Sequence, residues 1–450
     1  VWVFVLAAPL ACGGAAAPGR EPPPVAAPPA EAPQPSPAAT PAPEATSGAP
    51  RGDDLIARML ARVQSARGLQ ATRAVPGKIL ARATLIQRVK DHLARELPPE
   101  AIVDEGIGLQ LLGFVPPRVD YEAAELGLLQ AQLAGYYEPA DGTMYMAGDL
   151  GHDEATATLA HELVHALQDQ HWGLEERSKY HPGQGDRAEA FSALAEGDAT
   201  SAMFDVMFAS LAPGSRKTAL DLSDELIIAG VREGMGAASA NAPGVMLSSL
   251  AAPYVYGTLF VNALRRRGGW EAVNAAWADP PTTGEQILHL EKWLAREGPL
   301  PVPAPSSAAL GRGWTVLDDD SEGEIGTRVA FEEWMNPPVA AELSTGWGGD
   351  RAILLGRGPH AALAWRLRYD PGEGHPARAF AAIANGLGAK PSSEPWACVE
   401  RRDRGPIAIA RSGDDLLLVM GPADTRTPGW ASAGDCALAR SWAREILSVR

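Results

Sequence analysis

The stretch Asp153 to Gln170 (DEATATLAHELVHALQDQ) constrains the fold more than any other part of the chain. Acidic residues at its start favour a helix N-terminus, and Leu159, Leu163 and Leu167 recur every four residues as one apolar stripe. Leu163, Val164 and Leu167 imply a helix sunk in a core, yet His161, Glu162 and His165 lie among them. Four residues advance a helix by about 6 Å and a little over one turn, so both imidazoles project from one face. Imidazoles placed this way can share one metal ion, and Glu162, about 100° round the helix, can reach water on that ion without ligating it.

A catalytic zinc site takes three protein ligands and leaves one position open, so a third ligand is required. His171 follows His165 by six residues, but the extended motif that uses a histidine there has glycine midway, where this chain has Gln168. Glu189 and Glu196 fall on the next expected helix, over 187–209, seven residues apart and therefore on one face. Glu196 is preferred, because Gly197 after it lets another backbone approach beside the ligand, and Glu189 stands as the alternative. Asp198 is a candidate to orient a ligating histidine. Charge developing on a substrate carbonyl needs a donor, for which Tyr254, Tyr256 and His289 are the candidates, with Tyr256 and His289 carried forward.

Periodicity organises the remainder. Leu55, Ile56, Met59 and Val63, then Ile86, Val89 and Leu93, recur at helical spacing ahead of the histidines. A proline and an Asp-Gly turn near residues 136–146 predict a hairpin or a short strand after a turn, in which residues 143–147 (TMYMA) are either an edge strand for pairing with an extended peptide or an ordinary core strand. Residues 218–295 read as mostly helical. Beyond the Pro-rich segment 299–305, β-prone runs at 351–355, 362–369, 407–411 and 416–420 alternate with helical pieces. The chain is therefore expected to be α+β: a mostly helical domain over 51–305 with a short edge sheet, then a smaller α+β domain over 306–450.

Before residue 51 the composition differs. Residues 1–12 combine an apolar run with Leu10-Ala11-Cys12-Gly13, which resembles a bacterial lipoprotein signal, and residues 13–50 form an Ala/Pro-rich tether. The expected localisation is thus export to the cell envelope, with the membrane reached only through an N-terminal lipid anchor. Lipidation of Cys12 would leave Cys398 and Cys436 as a pair suited to one disulfide. With 39 Lys and Arg against 55 Asp and Glu, the net charge of -16 argues against binding nucleic acid or anionic lipid by charge.

Several segments together resemble a known family. HELVHALQDQ (161–170) followed by AEGDAT (195–200), with GYYEPADGTMYMA (135–147), PPTTGEQILHLEKW (280–293) and GWGGDR (346–351), is similar to a group of largely uncharacterised exported bacterial gluzincin-like zinc metallopeptidases. The resemblance implies a zincin-like fold over 51–305, zinc held by His161, His165 and Glu196, Glu162 as general base, and a peptide or protein substrate. Gly284 and Leu290 depart from the pattern, where Thr or Ser and Pro are expected. Two other readings share the same residues: a non-catalytic metal-binding envelope lipoprotein or scaffold, and a zinc amidase acting on peptidoglycan.

Overall fold

The computed structural model describes residues 52–449 apart from 212–213, 215, 239–241, 391–393 and 427–429. The expected lipoprotein signal and the Ala/Pro-rich tether lie outside the described residues. Helix α1 (Gly52–Arg67) leads to strand β1 (Gly77–Leu80) and helices α2 (Arg82–Glu96), α3 (Ala101–Leu112) and α4 (Tyr121–Gln132). A hairpin of β2 (Gly135–Glu138) and β3 (Thr143–Ala147) precedes α5 (His152–Trp172), α6 (Leu174–Arg177) and α7 (Gly185–Leu211). Helices α8 (Asp224–Ala238), α9 (Gly244–Ala278), α10 (Gly284–Leu288) and α11 (Leu290–Ala295) follow. The rest of the chain is β4 (Thr315–Asp320), α12 (Gly323–Glu332), α13 (Pro337–Ser344), β5 (Trp347–Arg357), β6 (His360–Tyr369), α14 (Pro376–Gly386), β7 (Trp396–Arg401), β8 (Gly405–Ser412), β9 (Asp415–Asp424), β10 (Ala431–Ser432) and α15 (Cys436–Ser448). The fold is α+β.

The expected hairpin forms because Gly142 supplies φ +64° and the Asp141 carboxylate accepts the Thr143 amide at 3.0 Å. Its third strand was not expected, and it corrects the assignment of the edge. β1 pairs in parallel with β3, from Gly77 opposite Met144 to Leu80 opposite Ala147, so the sheet order is β1-β3-β2. Residues 143–147 are thus the central strand, and the edge next to α5 is β2.

Helices α5, α7 and α9 make the centre of the helical part. By length and composition α9 could cross a membrane, but 67% of its most apolar window is buried inside the protein, which marks it as a core helix. It bends at Gly268 and Gly269, the latter at φ +63°.

The second sheet runs β4-β5-β6-β9-β8-β7, with every pairing antiparallel. Alternation gives it two apolar faces. Ile353, Leu355, Ala364, Leu417 and Val419 pack against Trp442 and Ile446 of α15. The intervening Leu354, Leu363, Trp365, Leu418 and Met420 belong to the same apolar cluster as Leu163, Leu194 and Val261 of α5, α7 and α9. One core therefore crosses residue 305, which lies in a stretch without helix or strand. A disulfide joins Cys398 of β7 to Cys436 at the start of α15.

Candidate metal centre

Residues 157–168 of α5 are all buried, and the helix ends at Gly173, whose φ of +69° suits a left-handed cap. Within that buried run the two imidazoles face one point. His161 Nε2 and His165 Nε2 stand 3.0 Å apart. Glu196 Oε2 from α7 lies 2.9 Å from His161 Nε2 and 3.5 Å from His165 Nε2. Donors about 2.0–2.1 Å from a tetrahedral zinc stand roughly 3.3 Å from one another, so these three atoms have the spacing of three vertices round one ion.

The close packing of α7 against α9 delivers Glu196. A Cβ on Gly197 would sit 2.0 Å from the Gly257 carbonyl carbon, and one on Gly257 would sit 1.8 Å from the Ala193 oxygen. The backbone approach expected beside Glu196 thus needs glycine on both helices. It also brings Tyr254 of α9 beside the centre, its ring 5.9 Å from that of His161.

A chain of hydrogen bonds orients His165 and was not foreseen. Gln168 Nε2 donates to Ala195 O at 3.0 Å and to Asp198 Oδ2 at 3.2 Å, which fixes the amide with its oxygen towards the histidine. That oxygen can only accept, so His165 Nδ1, 2.8 Å away, donates to it and Nε2 is left facing the centre. Asp198 is held in turn by Trp277 Nε1 at 2.8 Å and by the buried Arg67 at 2.5 Å. Asp198 therefore acts on His165 through Gln168, the residue at which the extended three-histidine motif would need glycine.

Glu162 is positioned separately. Its Oε2 accepts the Tyr137 amide of β2 at 3.0 Å, and its Oε1 is buried with no hydrogen-bond partner among the described residues. Burial pushes its carboxyl up to about 8. Burial also acts against charge on the other three groups. It lowers His161, but neighbouring carboxylates, Glu196 above all, outweigh it at His165 and raise that residue to about 9. At Glu196 the two histidines outweigh burial and bring the carboxyl to about 2. Such a donor set, two imidazoles and one ionised carboxylate beside a buried unpartnered carboxylate oxygen, is suited to holding a divalent transition-metal ion, zinc among them.

The other candidates lie elsewhere. The carboxylate that converges with the histidines is Glu196, not Glu189, which is buried and feels the charges of Asp186 and Glu322. His171 Nε2 donates to Gln70 O at 2.8 Å at the far end of α5. Tyr256 corrects an expectation: two residues past Tyr254 on a helix is about 200° of rotation, and its ring lies under Arg328, 4.9 Å from the guanidinium carbon. His289 is a second correction, since its Nε2 is 2.9 Å from Glu324 and its Nδ1 4.0 Å from Glu291, away from the ligand cluster.

A cleft of about 290 Å³ reaches His165 and is lined by Tyr136, Tyr137 and Glu138 of β2, by Ala188 and Ala195 of α7, and by Tyr180. Of the centre's residues, His165 is the one that lines this cleft, beside the edge strand. Residues 315–428 match the model of a domain of unknown function, DUF8575, which covers the second sheet from β4 to β9 and none of the centre's residues. No curated protein and no solved structure matches the chain.

Proposed function

We propose that this chain is a gluzincin-like zinc peptidase, with His161, His165 and Glu196 as ligands and Glu162 as general base. The observation that carries the reading is the convergence of three buried donor atoms within 4.8 Å, beside a carboxylate whose free oxygen has no partner. A structural site has no use for such a carboxylate, whereas hydrolysis requires a base next to the attacking water.

Zinc at these donors supplies a Lewis acid and lowers the pKa of water toward neutrality. Glu162 takes the proton from the attacking water and passes it to the leaving amine. Its bond from the Tyr137 amide fixes the carboxylate during both transfers. Tyr254, the tyrosine beside His161, takes the part of donor to the developing oxyanion. Edge strand β2 runs along the cleft and offers backbone groups to an extended peptide. The disulfide favours an oxidising compartment, in keeping with export and anchoring in the cell envelope.

The test is Glu162→Gln in protein loaded with zinc. Hydrolysis of casein or a peptide library should fall by a factor of about 10² or more with one zinc retained per chain. Unchanged hydrolysis refutes the reading, and digestion of purified sacculi but not casein would favour an amidase.

A further inference from the structure

The cleft that reaches His165 carries a nearly buried acidic group, Glu138. Side chains alternate along β2, so Tyr137 turns towards α5, where its hydroxyl donates to Asp169 at 2.9 Å, and Glu138 turns to the α2 side. Glu138 is 5% exposed, and it lines the cleft. No hydrogen bond reaches its carboxylate among the described residues, and its one ion-pair partner there is the imidazole of His92, with Nδ1 3.7 Å away. The other acid deep in the cleft, Asp320, accepts the Gly185 and Ser321 amides at 2.7 and 2.8 Å. Arg95 and Lys179 sit exposed at the mouth, and Lys179 is paired with Glu176 at 2.5 Å.

A carboxylate this enclosed, balanced only by a histidine 3.7 Å away, gains from a full cation that enters the cleft. The walls in between are apolar, with Leu97 and Leu174 buried along them. Such a passage suits a methylene stem that ends in a charge. We propose that the cleft binds a lysine or arginine side chain of the peptide, with Glu138 as the residue that recognises it. This rests on the reading of the centre as a peptidase and names its substrate class.

The test measures binding apart from turnover. Zinc-loaded Glu162→Gln protein is titrated with fluorescent alanine hexapeptides in which one lysine, arginine, norleucine or glutamate is moved through every position. At one position lysine and arginine should bind about tenfold more tightly than norleucine. Adding Glu138→Gln should reduce that ratio below about twofold at unchanged zinc content, and Glu138→Lys should turn the preference towards glutamate. The inference is overturned if no position separates lysine from norleucine, or if the preference survives Glu138→Gln. Cleavage of the same peptides by unmutated protein reports on the peptidase reading alone: lysine-selective binding without cleavage sinks that reading and leaves the basic-group site, whereas cleavage without selectivity does the reverse.

Discussion

Replacing Gln168 separates orientation of a ligand from stability of the core. Gln168→Met keeps the volume but removes the acceptor of the His165 Nδ1 proton and the donor to Ala195 O and Asp198. Without that acceptor, His165 is free to place its proton on Nε2, where it blocks the lone pair aimed at the centre. Loss of an outer partner of this kind lowers metal affinity by about 10–100-fold, roughly 1.4–2.8 kcal/mol. Gln168→Glu spares the ligand and shares the damage to the core. A carboxylate still accepts from His165, so zinc affinity should stay within about threefold, but it repels Asp198 and leaves Ala195 O without its donor. Each orphaned buried group costs about 1–3 kcal/mol, so both variants should unfold at lower denaturant in the metal-free state, and only the Met variant should also lose zinc affinity. Competition with a chromophoric zinc chelator and urea titration of apo-protein measure the two quantities. If Gln168→Met holds zinc within threefold of unmutated protein, the relay from Asp198 through Gln168 does not govern the ligand.

Three further outcomes follow from packing, cross-linking and burial. Gly257→Ala puts a methyl 1.8 Å from the Ala193 oxygen and forces α7 from α9, so it should cost about 1–3 kcal/mol and reduce zinc bound per chain. A melting temperature and zinc content equal to those of unmutated protein would contradict this. Reduction of the Cys398–Cys436 disulfide, or its replacement by two serines, opens a loop with a sequence separation of 38 and should destabilise by about 4 kcal/mol on chain-entropy grounds, read by urea denaturation. Burial, followed by the neighbouring Glu105, raises Glu125 to about 7 in the folded chain, so the native state binds a proton that the unfolded state releases near 4.5. Stability from this group is complete below about 4.5 and lost as pH rises to about 7, a slope of at most about 1.4 kcal/mol per pH unit; Glu125→Gln should flatten that fall, and an unchanged pH profile would refute it.

What the sequence disclosed and what it hid divide by range. Helices α5 and α7 and the strands β5, β6, β8 and β9 announce themselves because one face or every second residue is apolar over a run long enough to count. The four residues of β1 (GKIL) are too few to show alternation, and without them residues 143–147 pass for an edge. Helix α9 is buried on nearly every side, so no polar stripe shows which way it is turned, and Tyr254 and Tyr256 look equivalent. Gln168 is recognised locally only as a missing glycine. Its function depends on Asp198 and on Arg67, which is 131 residues from Asp198 in the chain. Contacts of that separation leave no periodic trace.

The second sheet bears on the centre through the start of α7. Asp350 of β5 accepts from Ser321 Oγ, from the Glu322 and Gly323 amides, and from the indoles of Trp347 and Trp365, which fixes the turn between β4 and α12. That turn holds α7: Gly185 N donates to Asp320 at 2.7 Å, and Asp186 N donates to Ser321 O at 3.0 Å. Gly323, at φ +67°, lies so close to Asp186 that a Cβ there would stand 2.0 Å from its carboxylate oxygen. From the other side the Gly284 amide donates to Asp186 at 2.6 Å, and a side chain at 284 would meet Ile325 and Asp186 at 3.0–3.2 Å. Gly284, where the resemblance leads one to expect Thr or Ser, therefore occupies a contact where a Cβ has little room. Because α7 is one continuous helix from Gly185 to Leu211, clamping its first turn sets the rotation at which Glu196 meets the histidines. Residues 315–350 are thereby part of what positions the third donor, although none of them touches it.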